Sequence, residues 1–265
     1  MRLKLTLIPL QPNTQVPINY NYPVSAAIYK ILALASPEYA GWLHEKGYPN
    51  QENRLLKLFT FSDLHIPQAR RVKNTLQAGN NRPWEIFIGS PVEEDFVQHF
   101  VLGLFEKQKL EIAGIGATGH FLVESVETLK PPVFRKQMTA IALSPIVVST
   151  MREHNGKLQP YYYRATDPEV GEAMRATVLS KYFALHGEAC PDPQLQVALD
   201  IDYFHRRKGN VSRLVAIKEG SEQETRVKGF VMPFKISGNP ELLRVAWECG
   251  IGNKTSLGFG MIDLR

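Results

Sequence analysis

The chain has 265 residues, 44% of them hydrophobic and 22% charged, a balance typical of a folded protein and unlike that of a disordered or collagen-like chain. This length favours two modest domains over one. Lys and Arg together number 31 against 26 for Asp and Glu, so a polyanionic partner is compatible with the charge but not demonstrated by it.

The two cysteines and the amino-terminal residues argue against further classes of protein. Cys190 and Cys249 lie far apart, without CxxC or Cys/His spacing, which argues against a disulfide framework and against a structural zinc site. Residues 1–9 contain no long apolar segment, and no run of about 18 apolar residues occurs that would span a bilayer. We expect a cytoplasmic protein with no membrane anchor, no metal and no cofactor.

The first half of the chain predicts alternating strands and helices. Leu3, Leu5 and Leu7 alternate with polar residues, as in a half-buried strand that ends at Pro9. In chain order, the further predicted elements are a helix opened by Pro23, a short helix capped by Ser36 and stopped by Gly47, strands over 55–61 and 84–88, a helix opened by a capping box of Ser90 and Glu93 with an inward apolar stripe that ends at Phe105, and a hairpin of strands 110–112 and 121–126. The order strand, helix, strand, strand, helix, strand is that of the ferredoxin-like fold.

The second half predicts the same pattern after a linker at Lys130–Pro132, which is stiffened by its proline pair. Its predicted elements are a strand over 140–143, a helix capped by Asp167 and Pro168, strands over 196–203, 211–217 and 226–234, a helix from Asn239 to Gly250, and a strand over 259–264. We therefore predict an α+β protein of two tandem ferredoxin-like domains, residues 1–130 and 131–265, each an antiparallel sheet with helices on one face.

The segment 250–260, GIGNKTSLGFG, is the most distinctive motif in the chain. Four glycines allow a backbone to approach a phosphate closely, and three neighbouring residues add donors. The residues of this segment predicted to contact a phosphate backbone are Gly250, Gly252, Lys254, Thr255, Ser256, Gly258 and Gly260. A flexible helix cap and turn is the simpler interpretation. A dinucleotide fingerprint is excluded because this segment follows a helix and leads into a strand.

Two other motifs are weaker. Residues 114–119 match GxGxxG literally, but a strand-like segment follows, so we predict a hairpin turn and no nucleotide site. Asp200 and Asp202 would share one face of a predicted strand and could hold a magnesium ion, although no third acidic residue lies nearby in sequence.

The sequence GIGNKTSLGFGMIDL resembles the glycine-rich signature of the CRISPR repeat-processing endoribonucleases of the RAMP superfamily. The segments MRLKLTLIP, VPINYNYPVSAAIYKIL, LLKLFTFSDL and ALSPIVV resemble the same family in the same order. The resemblance thus runs essentially from end to end. It implies two ferredoxin-like domains that face each other, with RNA lying across them and recognised as a repeat sequence, often a small stem-loop.

The resemblance also implies RNA cleavage without metal, by attack of a ribose 2′-hydroxyl that leaves a cyclic phosphate and a 5′-hydroxyl. The family's tyrosine, histidine and lysine match Tyr29 in AAIYK, His44 in WLHEKG and Lys57 in LLKLF. The loop between His44 and Lys57 is long, so Lys46 or Arg54 could take the place of Lys57.

Each matched residue type suits one part of that chemistry. His44 is expected to transfer protons, because the negative end of a helix dipole lies close to it and stabilises a protonated imidazole. Tyr29 would orient the 2′-hydroxyl or help to deprotonate it, and Lys57 would hold the scissile phosphate as a compact charge. Taken singly, each is a residue type that is usually structural or solvated, so the assignment depends on their joint match.

Two basic clusters are candidates for contact with RNA phosphates, with a solvated surface as the default interpretation. They are Arg70, Arg71 and Lys73 in the first half, and Arg206, Arg207 and Lys208 on a predicted hairpin tip in the second. The expected partner is CRISPR repeat RNA, the precursor crRNA, while an effector complex and a homodimer stay open. The alternative function is a catalytically inactive guide-RNA-binding subunit, since a shared fold does not itself supply chemistry.

Overall fold

The computed structural model describes residues 1–80 and 82–265. Its α-helices are α1 (Asn21–Ala35), α2 (Pro37–Glu45), α3 (Gln98–Lys107), α4 (Val170–His186), α5 (Ile201–Arg206) and α6 (Pro240–Cys249). Its strands in the first half are β1 (Arg2–Pro9), β2 (Gln15–Pro17), β3 (Tyr48–Pro49), β4 (Leu55–Leu56), β5 (Thr60–Phe61), β6 (Arg70–Val72), β7 (Thr75–Gln77), β8 (Trp84–Gly89), β9 (Lys109–Gly114) and β10 (Ala117–Leu129). Those in the second half are β11 (Gln137–Ala142), β12 (Ser149–His154), β13 (Lys157–Tyr162), β14 (Leu195–Leu199), β15 (Ser212–Ile217), β16 (Thr225–Phe230), β17 (Phe234–Gly238) and β18 (Ile262–Leu264).

The first sheet has the strand order β5-β8-β1-β10-β9, and its paired strands are antiparallel. β1 lies at its centre, and the alternate side chains of Leu3, Leu5 and Leu7 are buried on one face of the sheet. That face packs against α1 and α3, whose buried residues include Ile28 and Phe100. Strands β5, β8, β1 and β10 with their helices form a ferredoxin-like unit, and β9 extends its edge.

The second sheet has the order β14-β17-β11-β18 and repeats the ferredoxin-like arrangement from residue 137 onward. Helices α4 and α6 cover one face through buried residues such as Met174, Val178 and Leu243. Two two-stranded hairpins, β12–β13 and β15–β16, extend from this unit. The predicted α+β fold of two tandem ferredoxin-like units is confirmed.

The helix starts that depend on a side-chain cap were predicted with mixed success. Ser36 accepts a hydrogen bond from the Tyr39 amide at 3.2 Å, and Asn239 accepts one from the Glu241 amide at 3.0 Å, so the predicted cap at Ser36 and the predicted helix start at Asn239 are confirmed. The predicted cap at Asp167 is wrong. Its carboxylate accepts bonds from the Arg164 amide and the Tyr161 hydroxyl, and α4 begins only at Val170.

The predicted capping box at Ser90 and Glu93 is also wrong. The Ser90 hydroxyl donates to the carbonyl of Leu58 at 2.9 Å and accepts from the amide of Val92 at 3.1 Å, so it ties two segments together. A turn of π-helix over Glu93–Val97 then leads into α3. At the other end of the stripe, Phe105 is 71% exposed and does not face the core.

The single strand predicted over residues 55–61 is two short strands. β4 pairs with β3, whereas β5 joins the first sheet, and Leu58 between them has a φ of 43°. Leu58 belongs to the core of the second unit, while Phe59 and Phe61 belong to that of the first. The run is apolar on both faces because two different cores share it.

Three strand predictions in the second half had wrong bounds. The strand predicted over 196–203 ends at Leu199, because Asp200 accepts a hydrogen bond from the Tyr203 amide at 2.7 Å and caps α5. The one predicted over 226–234 is divided between β16 and β17, and only Ile262–Leu264 of the last one is a strand. Within residues 1–80 and 82–265, the helices include none that is both long enough and apolar enough to cross a membrane.

Arg2 joins the two units, and this charged residue is only 1% exposed. Its guanidinium donates to the carbonyls of Trp247 and Ile262, the latter at 2.8 Å, and lies 4.0 Å from the centroid of the Trp247 ring. Burial lowers the pKa of Arg2 to about 9, an effect that Asp263 and Glu248 oppose. The buried charge is stabilised by the two carbonyls that accept from Nη2 and by the Asp263 carboxylate 3.8 Å from Nη1, whereas Nε has no hydrogen-bond partner among the described residues.

Lys181 on α4 makes a second buried contact, within the second unit. Its amine donates to the carbonyls of Gly250 and Gly252, each at 2.8 Å, and the residue is 5% exposed. Burial lowers the pKa of Lys181 to about 8. Helix α4 therefore holds the segment that follows α6.

We predict that Arg2→Met lowers the free energy of unfolding by about 3 kcal/mol, because two buried carbonyls lose a charged donor. Urea unfolding followed by tryptophan fluorescence measures this change. Lys4→Met, on the same strand but paired with Glu85 at the surface, is the control, with an expected loss below about 1 kcal/mol. Equal losses in the two variants would show that the buried contacts of Arg2 add nothing.

We predict that the stability of the protein rises between pH 8 and 10.5 through Lys181, whose pKa falls from 10.5 to about 8 on folding. In this window the unfolded chain binds more protons than the folded one, so raising the pH favours folding. Below pH 8 both states are protonated and the contribution is constant. In Lys181→Met, this rise, at most about 3 kcal/mol, should be missing from denaturant unfolding curves measured across the window. Parallel curves for the two proteins would contradict the prediction.

Candidate active site and glycine-rich segment

Tyr29 and His44 meet at one surface of the first unit. Tyr29 lies on α1 and His44 in the last turn of α2, and their ring centroids are 5.3 Å apart with planes at 85°. Tyr29 also packs edge-on against the buried Phe59, with centroids 5.8 Å apart. The helix break at Ser36 folds α2 back onto α1, which brings the two rings together. His44 is exposed and Tyr29 half-buried.

Lys57 joins this pair through the backbone of α2. Its amine donates to the carbonyls of His44 at 2.9 Å and Lys46 at 3.0 Å, which are among the carbonyls that a helix leaves without intrahelical partners at its end. Two of its three N–H bonds are used in this way, so the third can reach an acceptor such as a phosphate oxygen. Burial lowers the pKa of Lys57. The structure thus places the three predicted catalytic residues together.

Gly47 permits this close approach. Its φ is 73°, and a Cβ at this position would lie 2.5 Å from the carbonyl oxygen of Leu56 and 3.1 Å from Cδ of Lys57. A side chain would therefore push Leu56 and Lys57 away from the end of α2. The sequence identified Gly47 as a helix stop, but nothing in the sequence signalled its contact with Lys57.

The other basic candidates near His44 are placed differently. Lys46 contributes its carbonyl to Lys57, and its own side chain is exposed. Arg54 lies in the turn between β3 and β4 and pairs with Glu52 at 2.9 Å. Lys57 is the one of the three whose amine binds the end of α2.

Burial raises the pKa of Tyr29 to about 12. Its hydroxyl thus stays protonated at neutral pH and can donate a hydrogen bond. Of the two roles expected for Tyr29, this favours orientation of a 2′-hydroxyl over removal of its proton.

The glycines of the segment 250–260 are buried. Gly252 and Gly258 have φ values of 90° and 76°, in the left-handed region that favours glycine. A Cβ at Gly258 would overlap the ring of Phe61, and one at Gly252 would overlap the carbonyl oxygen of Val147. The glycines allow the segment to pack closely against both units.

Most backbone amides of this segment already have acceptors inside the protein. The paired amides are those of Ile251, Gly252, Asn253, Leu257, Gly258 and Gly260. Thr255 is buried and Ser256 half-buried, whereas Lys254 is exposed with a φ of 58°. The side chain of Lys254, more than the glycine backbone, is what the segment offers to a phosphate.

Two polar residues of the first unit bind the segment, and the sequence analysis did not identify either. The side-chain amide of Asn21 donates to the carbonyl of Gly258 at 3.0 Å, and the Thr60 hydroxyl donates to the carbonyl of Phe259 at 3.1 Å. Asn21 begins α1, and Tyr29 follows eight residues later, about 12 Å along the helix axis. The segment therefore packs against the start of the helix that carries Tyr29.

The two basic clusters lie on different kinds of element. Arg70 and Arg71 are on the exposed strand β6, and Lys73 is in the turn to β7, with its carbonyl accepting from the Arg71 guanidinium at 2.9 Å. The predicted hairpin tip for the second cluster is wrong. Arg206 ends α5, with Arg207 and Lys208 directly after it, because the chain forms a capped helix there.

The two weaker motifs have structural explanations. Residues 114–119 lie at the tip of the predicted β9–β10 hairpin, whose turn is Ile115–Gly116, with Gly116 at a φ of 84°. Asp200 and Asp202 do not share a strand face, because Asp200 caps α5 and Asp202 lies in its first turn. Among the described residues, 1–80 and 82–265, no group of three His, Cys, Asp or Glu side chains is placed to hold a metal ion.

Known proteins resemble this chain over nearly its whole length. It is 28% identical to the CRISPR-associated endoribonuclease Cas6 1 of Methanocaldococcus jannaschii over 249 residues, which cover 94% of this chain and 87% of that protein. It is 26% identical to the CRISPR-associated endoribonuclease Cas6 of Pyrococcus furiosus over 267 residues, covering 100% of this chain and 90% of that protein.

A solved structure of the product of a Cas6-related gene from Pyrococcus furiosus has the same fold. It superposes with a TM-score of 0.81 at 24% identity and covers 100% of this chain and 98% of that one. The model of the Cas6 N-terminal family matches residues 15–127, and that of the CRISPR-associated protein Cas6 C-terminal family matches residues 129–264. These two matches fall on the two ferredoxin-like units, the first from residue 15 onward, and confirm the resemblance that the motifs carry. The chain belongs to the Cas6 family of CRISPR-associated proteins.

Proposed function

We propose that this chain is a CRISPR endoribonuclease that binds repeat RNA and cuts precursor crRNA without a metal ion. The ribose 2′-oxygen attacks the adjacent phosphorus, and the bond to the 5′-oxygen breaks, which leaves a 2′,3′-cyclic phosphate and a 5′-hydroxyl. The meeting of Tyr29, His44 and Lys57 at one surface is the observation that carries this proposal. Its relatives in M. jannaschii and P. furiosus are named endoribonucleases.

The geometry supports a separate role for each of the three side chains. His44, the exposed member, takes the proton of the 2′-hydroxyl or delivers one to the leaving 5′-oxygen. Tyr29 orients the 2′-hydroxyl through its protonated phenol. Lys57, held by two carbonyls, stabilises the negative charge that develops on the phosphorane oxygens.

RNA contact is supported by a cleft between the two units. A cleft of about 670 Å³ lies between the β9–β10 turn and the loop after β15, and its walls include Tyr22 and Lys218. A smaller one of about 300 Å³ continues from Lys218 to Lys254. Glu219 and Glu222 also line the larger cleft, so it suits stacked bases more than phosphates. Lys254 and the two basic clusters remain the candidates for phosphate contact.

The glycines of the segment 250–260 then act by shaping the backbone that presents Lys254. Their buried positions support this indirect role. Association with an effector complex and formation of a homodimer stay predictions.

We predict that His44→Ala slows single-turnover cleavage of a repeat RNA at least a hundredfold, because general acid–base transfer contributes about 10²–10⁴ to the rate. The dissociation constant for the RNA should change little. His120→Ala, an exposed histidine on β10, is the control and should cleave at the wild-type rate. End analysis of the product should find a 5′-hydroxyl, and EDTA should leave the rate unchanged.

Three outcomes of that experiment would contradict the proposal. Cleavage that stops in EDTA would require a metal ion, and full activity in His44→Ala would remove His44 from the mechanism. Tight binding of the repeat with no product at any pH would favour the inactive RNA-binding subunit.

We predict that Lys254→Ala weakens binding of the repeat RNA more than it slows cleavage of bound RNA. Loss of one phosphate contact should also reduce the slope of log Kd against log salt concentration by about one. Filter binding at several salt concentrations and single-turnover cleavage at saturating protein measure the two effects.

Lys107→Ala, at the end of α3, removes the same charge from the first unit and serves as the control for net charge. Equal losses of affinity in the two variants would reduce the role of Lys254 to general electrostatics. An equal loss of binding and of bound-state cleavage in Lys254→Ala would place Lys254 in the reaction itself.

A further inference from the structure

One face of α4 contacts both the glycine-rich segment and the hairpin that separates His44 from Lys57. Ser180 and Lys181 lie three and four residues after Thr177, so both are neighbours of Thr177 on this face. Each makes a hydrogen bond to a segment distant in sequence.

Two of these residues hold the glycine-rich segment. The Thr177 hydroxyl accepts from the amide of Gly252 at 2.9 Å, and the Lys181 amine donates to the carbonyls of Gly250 and Gly252. Both the donor and the acceptor of Gly252 are thus bound to α4. The start of the segment that presents Lys254 is fixed relative to this helix.

The third residue, Ser180, holds the β3–β4 hairpin. Its hydroxyl accepts from the side-chain amide of Asn50 at 2.8 Å, and Asn50 is only 8% exposed. The side-chain oxygen of Asn50 accepts from the amides of Glu52 at 3.0 Å and Arg54 at 2.8 Å. Asn50 therefore closes the turn of the hairpin and anchors it to the second unit at the same time.

This hairpin sets the position of Lys57. It begins just after the end of α2, which carries His44, and Lys57 directly follows β4. Leu56 and Leu58, on either side of Lys57, pack against the core of the second unit. The Lys57 amine nevertheless reaches back to the carbonyl of His44 in the first unit. The residues that flank Lys57 thus pack against the second unit, whereas its amine binds in the first.

We propose that Asn50, through its hydrogen bond to Ser180, is a positioning residue of the cleavage reaction. Helix α4 then sets the geometry between the segment that presents Lys254 and the β3–β4 hairpin, which Lys57 directly follows. This inference rests on the proposed endoribonuclease function. A small displacement of a group that stabilises the transition state lowers the rate steeply, while contacts that only bind RNA are unaffected.

Loss of the Asn50–Ser180 bond should also change the pH profile of the cleavage rate. Burial lowers the pKa of Lys57, and a loosened hairpin would expose its amine to water. The pKa of Lys57 would then rise towards its ordinary value. Since Lys57 acts as a cation, the alkaline limb of the rate profile, with uncatalysed cleavage subtracted, would move to higher pH. A loss of stability alone would not move it.

The test replaces Ser180 by Ala, which removes the acceptor and slightly favours the helix. Single-turnover cleavage of a repeat RNA at saturating protein should slow about tenfold, with Kd within about twofold of wild type and the alkaline limb at higher pH. Ser180→Thr keeps the hydroxyl and should restore the rate. Ser212→Ala, at an exposed position on β15, is the matched control and should behave as wild type.

Asn50→Ala removes the same bond from the other side and must show the same selective loss of rate. Wild-type rates in Ser180→Ala, or a loss of affinity that equals the loss of rate, would overturn the inference while leaving the proposed function intact. If the wild-type protein fails to cut the repeat RNA, or if His44→Ala cuts it as fast as the wild type, the proposed function is contradicted instead.

Discussion

The packing of residues 250–260 between the two ferredoxin-like units is the constraint on which the rest of the structure depends. The absence of side chains at Gly252 and Gly258 lets this backbone lie against Val147 and Phe61. Its carbonyls can then accept bonds from Asn21 and Thr60 of the first unit and from Lys181 of the second. One short segment thus joins the start of α1 to α4, and a larger residue at its glycines would force the units apart.

The candidate active site follows from this arrangement because its residues depend on both units. Tyr29 and His44 are placed by the fold of α2 onto α1, whereas Lys57 lies on a segment whose flanking leucines pack in the second core. The same burial that positions Tyr29 and Lys57 also changes their chemistry. It keeps the phenol protonated, and it lowers the pKa of the amine. Packing and reactivity are therefore consequences of the same contacts.

Membership of the Cas6 family and the arrangement of the site support separate places for cleavage and for RNA contact. We propose cleavage at the surface around His44, and RNA contact at Lys254 and along the cleft that continues towards Tyr22. Arg2 contributes in a different way, since its buried guanidinium ties β1 to the carbonyls of α6 and β18. Such contacts hold the two units that form the candidate site in one geometry.

The sequence by itself determined the fold class, most elements and the family. Alternating leucines in β1, the caps at Ser36 and Asn239 and the order of elements are local features that a chain expresses wherever it packs. The tertiary structure alone decided the division of residues 55–61 between two cores. The pattern of apolar residues indicates that they are buried, but it does not indicate in which core. The tertiary structure also decided that the motif glycines serve packing, and that Asn50 and Ser180 meet, since both depend on contacts between residues far apart in sequence.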